Sequence, residues 1–170
     1  MKYFLTFLML LPIVPLGAQT EDATYFQRRL EEAKHGDAGA QDDVGTLYAE
    51  GRGVKRDDRA AVYWLTKSAE QGNRLGTCNL ALQYARGEGV AKNPVLALKW
   101  SLISHALDQL KCFPDDFVDE LKPSKAQMRQ AARLALTWLR SHPKLTNEFG
   151  SRPWFERKPQ SNKSLNRTLK

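Results

Sequence analysis

Tyr48, Ala49, Gly51, Gly53, Val54, Ala61 and Trp64 return 36 residues further on as Tyr84, Ala85, Gly87, Gly89, Val90, Ala97 and Trp100. Seven identities over the 21 positions from Val44 to Trp64 compare with roughly one expected by chance, so the chain is built from stacked copies of one supersecondary unit. The pattern within a unit is helical. Ala40, Val44, Leu47 and Tyr48 fall on one face, which predicts a first helix over 38–50. Gly51 then supplies the positive φ at which a helix commonly ends, and Gly53 keeps the following turn tight. Asp57, or Asn93 with Pro94 behind it in the second copy, caps the next helix. That helix carries Ala60, Ala61, Trp64, Leu65 and Ala69 and closes near Gly72. The small alanines admit a close helix neighbour, and Trp64 and Trp100 fill the space between units. The expected fold is therefore all-α, a short α-solenoid of antiparallel helix pairs.

The ends of the stack are less regular, as terminal units must be. A leading helix over 21–34 turns Tyr25, Phe26, Leu30 and Ala33 inward, and the second copy uses Leu75, Leu80 and Tyr84 with Ala97, Trp100 and Ile103. A short helix is expected over 116–121. A closing helix over 123–140 carries Met128, Ala131, Ala132, Leu134, Ala135, Trp138 and Leu139, and His142-Pro143 ends it. Before all of this, Lys2, the apolar run Tyr3 to Leu11, Pro12, Pro15 and Leu16-Gly17-Ala18 read as a secretory signal cleaved after Ala18. The run is shorter than the roughly 20 apolar residues of a bilayer span. The chain thus divides into a signal peptide at 1–18, a solenoid at 19–142 and a basic, largely disordered tail at 143–170. The destination expected from this organisation is the periplasm or the exterior.

The net charge of +7 is unevenly placed. Residues 19–149 hold 19 Lys and Arg against 18 Asp and Glu, whereas 150–170 hold six against one. The tail also contains Trp154-Phe155 and is expected to dock on the last helix or to touch an anionic envelope surface weakly. Nucleic acid is not an expected partner, because export removes it from reach and the basic run lacks a recognised binding fold.

No catalytic or metal constellation is present in the sequence. His35, His105 and His142 lack the i, i+4 pairing or cysteine neighbours of a zinc site. The acidic pairs Asp42-Asp43, Asp57-Asp58 and Asp115-Asp116 sit where helix N-termini favour negative charge, without the separated environments of an acid and a base. The Gly-x-Gly turns lack the Lys-Ser/Thr of a phosphate loop. No cofactor is expected. Two cysteines in an exported chain admit either a Cys78–Cys112 bridge, worth about 3–4 kcal/mol in the chain-entropy picture, or two buried thiols.

Tyr48-Ala49-Glu50-Gly51-Arg52-Gly53-Val54 and Tyr84-Ala85-Arg86-Gly87-Glu88-Gly89-Val90, with Ala and Trp at matching later positions and Ala-Glu-Gln-Gly at 69–72, resemble Sel1-like repeats. These are short helix-turn-helix units related to tetratricopeptide repeats, and the resemblance runs from about Ala33 to Trp138. It implies a non-catalytic adaptor or scaffold in the bacterial cell envelope, monomeric when unbound, that holds another protein in a superhelical groove. Some exported members resemble immunity proteins that neutralise toxic effector enzymes in the periplasm, which gives an alternative role. The candidate groove residues are the first-helix polar positions Gln41, Thr46, Glu50, Asn79, Gln83 and Arg86. Leu96 in place of Ala60, Gln83 in place of Leu47 and His105 in place of Ala69 depart from the first copy and make the second unit's groove distinct.

Overall fold

The structure is a computed structural model and describes residues 16–108, 112 and 121–148. Among the described residues there are seven helices and no strand. They are α1 (Leu16–Lys34), α2 (Ala38–Glu50), α3 (Asp58–Glu70), α4 (Arg74–Arg86), α5 (Pro94–Asp108), α6 (Lys125–Ser141) and α7 (Pro143–Glu148). Consecutive helices pack on each other from α1 to α5, α6 packs on α5, and α2 also touches α4. The units α2–α3 and α4–α5 are the two copies read from the sequence. No described helix is long and apolar enough to cross a membrane. The signal segment before Leu16, the helix expected over 116–121 apart from Leu121, and Trp154-Phe155 lie outside the described residues.

Local chemistry repeats with the sequence. Gly51 and Gly87 end their helices at φ of 70° and 79°, and their N–H groups donate to the carbonyls of Leu47 and Gln83. Asp57 Oδ1 accepts from the N–H groups of Arg59 and Ala60, and Asn93 Oδ1 does the same for Val95 and Leu96. The Asp57 N–H reaches back to Tyr48 O at 3.0 Å, matched by Asn93 N–H on Tyr84 O at 2.8 Å.

A second set of repeated contacts joins one unit to the next. A Cβ on Gly53 would collide with the Asp22 carbonyl of α1, and one on Gly89 would collide with the Asp58 carbonyl of α3. Asp22 and Asp58 are themselves 36 residues apart, so α1 holds the place of a second helix in a preceding unit. The glycines expected to tighten a turn therefore also let one unit's elbow rest on the backbone of the unit before it.

The core is continuous along the stack. Phe26, Ala33, Ala40, Val44 and Leu47 bury between α1 and α2, with Leu30, Tyr48, Val54 and half-buried Trp64 against them. Leu65, Ala69, Leu80, Ala81, Ala97, Trp100, Ile103, Ala135, Trp138 and Leu139 form the larger part. Gly45 lets α2 approach α3 closely, since a Cβ there would sit 2.7 Å from Leu65 Cγ. Four residues expected to face inward are exposed: Tyr25, Leu75, Met128 and Leu134. Tyr25 lies at the rim of the α1–α2 contact, where its hydroxyl donates to Asp43 Oδ2 at 2.9 Å. On α6 the buried face is the narrower set Ala131, Ala135, Trp138 and Leu139, which leaves Met128 and Leu134 on its flanks. Within the tail expected from residue 143, residues 143–148 are helical and Leu145 packs on the core beside Gly72.

The two roles of an elbow glycine separate by mutation. Gly36 has φ of 95° with open space around it, so Gly36→Ala carries only the left-handed backbone cost of about 1 kcal/mol. Gly89→Ala adds a collision with backbone and is expected to cost about 3 kcal/mol or more in urea unfolding. Equal losses for the two variants would contradict the inter-unit contact.

Candidate functional site

Five of the six candidate groove residues come together. Thr46, Glu50, Asn79, Gln83 and Arg86 line one cleft of about 300 Å³, completed by Ala49 of α2, Arg56 of the elbow, Leu65 of α3, and Leu82 and Glu88. The arrangement follows from helix geometry. Residues 46, 49 and 50 are one turn apart on α2, residues 79, 82, 83 and 86 share a face of α4, and the stacking of units sets the two faces side by side.

Gln41 is the exception and corrects the sequence reading. It is buried between units, where its Nε2 donates to Ala33 O at 3.1 Å and its Oε1 accepts from Gln71 Nε2 at 2.7 Å. The Gln71 amide also donates to Gly36 O at 3.0 Å. Sequence reasoning missed Arg56, Leu82 and Glu88. Leu82 could have been found as the residue one turn from both Asn79 and Arg86, and the elbow charges by their closeness to the helix ends.

The mouth of the cleft carries alternating charge. Arg56 Nε lies 2.8 Å from Asp58 Oδ1, a pairing that raises its already high pKa, and Arg86 Nη1 lies 3.8 Å from Glu88 Oε2. At the wall, Gln83 is 6% exposed, and its Oε1 receives no hydrogen bond from any described residue. An acceptor in that state is costly to the fold. Beside it, Asn79 Nδ2 donates to Asp42 Oδ1 at 2.8 Å and approaches Thr46 Oγ1 at 3.4 Å, linking α4 to α2 along the cleft.

Asp42 is buried, and burial pushes its carboxyl up to about 6, against the Asn79 hydrogen bond and with help from neighbouring Asp43. Thirty-six residues on, Cys78 occupies the same place in the second unit and forms a disulfide with Cys112, their Cα atoms 4.9 Å apart. One position per unit therefore ties the unit to a later stretch of chain, by a polar contact in the first and a covalent bond in the second.

Among the described residues no cluster of His, Cys, Asp and Glu could hold a metal ion. The histidines are dispersed: His35 Nδ1 meets Glu31 O at 2.7 Å, His142 stacks on Trp138 with ring centres 4.0 Å apart, and His105 lies in α5.

The family profile described as Sel1 repeat matches residues 38–73 and 75–103, so the two units are Sel1 repeats. A sel1-like repeat-containing protein, L18 of Acanthamoeba polyphaga mimivirus, is 45% identical over 44 residues, 26% of this chain and 8% of that protein. The crystal structure of c5321, a protective antigen present in uropathogenic Escherichia coli strains and displaying an SLR fold, superposes with a TM-score of 0.68 at 26% identity. That match covers 78% of this chain and 29% of the other. The chain therefore spans less than a third of either relative.

The buried carboxyl gives a pH prediction. The folded chain keeps a proton on Asp42 up to about pH 6, whereas an unfolded aspartate releases it near pH 4, so folding takes up a proton between these values and stability falls as pH rises through them. Asp42→Asn retains an acceptor for Asn79 and removes the buried charge. It is expected to stabilise the protein by about 3 kcal/mol at pH 8 and by much less at pH 4, as read from urea unfolding. A gain independent of pH would refute the buried titration.

Proposed function

We propose that this chain, a solenoid carrying two Sel1 repeats, is a non-catalytic scaffold in the bacterial cell envelope that holds a segment of a partner protein in the cleft between α2 and α4. Sel1 repeats as a class suggest protein–protein interaction. The observation that carries the reading to this cleft is the buried, unpartnered Oε1 of Gln83, set among Thr46, Asn79 and the mixed charges at the mouth. A polypeptide in extended form offers backbone N–H groups that satisfy such an acceptor, and charged side chains that match both signs at the rim. An envelope location is supported by the signal-like residues 1–18 and by a Cys78–Cys112 disulfide, which suits an oxidising compartment. The disulfide also makes the second unit a pre-organised surface, and pre-organisation favours tight binding. On that ground the alternative role, a dedicated inhibitor of a toxic enzyme, uses the same cleft.

A photo-crosslinking residue placed at Glu50, inside the cleft, is expected to capture a discrete partner in intact cells, and one at exposed Tyr63, outside it, is not. The captured protein is then titrated against Gln83→Met. This variant removes an unsatisfied buried acceptor, so it is expected to unfold about 1 kcal/mol later than wild type yet to bind roughly tenfold more weakly. Unchanged affinity, or capture from Tyr63 alone, would place the interaction elsewhere. Nanomolar binding to one enzyme would favour the inhibitor role, and weaker binding to several proteins the scaffold.

A further inference from the structure

The charge of the molecule divides at Leu121 rather than at the tail. Residues 121–170 contain 12 Lys and Arg against two Asp and Glu, while residues 1–120 contain 14 against 17. Much of the basic half is folded. Lys125, Arg129, Arg133 and Arg140 follow one another on α6 at steps of four, four and seven residues, each close to whole turns, so they form one row about 22 Å long. All four are exposed, α6 contains no Asp or Glu, and none of the four is ion-paired to a described residue. Arg29 of α1 and Arg52, Arg56 and Arg86 of the repeats have carboxylate neighbours. The row on α6 carries its charge without such neighbours among the described residues.

Its surroundings specify the partner. Met128 and Leu134 of the same helix are 43% and 36% exposed, so exposed apolar side chains accompany the cations on α6. Further along the chain come Lys144, Arg152, Arg157 and Lys158 around Trp154-Phe155. Cations with interspersed Met, Leu and Trp are the composition that lies in the headgroup region of a membrane. A straight row of charges also meets a flat surface along its whole length, whereas the backbone of a nucleic-acid duplex curves away from it.

We propose that the outer face of α6 docks this protein on the phosphate headgroups of an anionic lipid bilayer. Neither α6 nor α5 lines the cleft, so the docked protein keeps the cleft free. The inference does not depend on the scaffold reading and fails separately from it.

The test is co-sedimentation of the full chain with vesicles of phosphatidylcholine alone or with about 30 mol% phosphatidylglycerol, the ratio of the two affinities removing any contribution from the apolar N-terminal run. Wild type is expected to prefer anionic vesicles at least tenfold in about 0.1 M salt and to lose the preference in about 1 M salt. R129Q/R133Q/R140Q is expected to weaken binding to anionic vesicles about 100-fold, R129K/R133K/R140K to restore most of it, and K55Q/R59Q on the repeats to leave it unchanged. Circular dichroism confirms that each variant is helical. Equal binding to both vesicles would overturn the proposal, as would a triple-Gln variant that keeps the preference when removal of 149–170 abolishes it. Tighter binding to a duplex DNA than to anionic vesicles at equal phosphate concentration would replace the membrane with nucleic acid.

Discussion

The contact between an elbow glycine and the backbone of the previous unit sets everything downstream of it. Gly53 rests on the Asp22 carbonyl and Gly89 on the Asp58 carbonyl, and each also holds a positive φ. A residue with a Cβ meets both objections at once, the backbone cost and the collision. Because the two contacts are 36 residues apart at both ends, they fix the same step between α1 and the first unit as between the first unit and the second. The helices then have one way to stack, and side chains at equal positions in successive units become neighbours.

The cleft is a consequence of that step. Asn79 meets Asp42 and Thr46 only because α4 lies beside α2 at this offset, and Thr46 and Asn79 line the cleft next to Gln83. Ser68 and Ser104, also 36 apart, show how the polar interior is satisfied: each hydroxyl donates to a backbone carbonyl at the start of its unit's first helix, Ala38 at 2.6 Å and Arg74 at 3.2 Å. Among the described residues Asp42 and Gln83 are polar groups at a disadvantage, one by a charge in the interior and the other by a missing donor. They belong to α2 and α4, between which a partner is proposed to bind.

The helix boundaries were legible because glycine, proline and the capping residues act locally. Asp57, Asn93 and Gly51 do what their chemistry requires whatever surrounds them. The burial of a polar side chain depends on a partner far along the chain and was not legible. Gln41 looked like a groove residue because it is polar on an amphipathic helix, but Gln71, thirty residues later, completes its hydrogen bonds inside the stack. The serine pair was not legible either, because apolar periodicity carries no information about hydroxyls. Five of the six candidate positions share one cleft because stacking in register carries a face from one unit to the next, and Arg56 and Glu88 were not read from the sequence because loops carry no such periodicity. The charged row of α6 was hidden because charge summed up to residue 149 averages the basic cap with the acidic stretches 19–37 and 109–120 that flank the near-neutral repeats.

A distance measurement across the cleft tests the central claim, that the glycine contact sets the step between units. Spin labels at Glu50→Cys and Arg86→Cys, read by pulsed electron resonance with the native disulfide intact, report the separation of α2 and α4. A single narrow distance distribution is expected, and Gly89→Val is expected to broaden or displace it in a protein whose helical circular dichroism is unchanged. The same narrow distribution with and without Gly89→Val would mean that the step between units is set by something else.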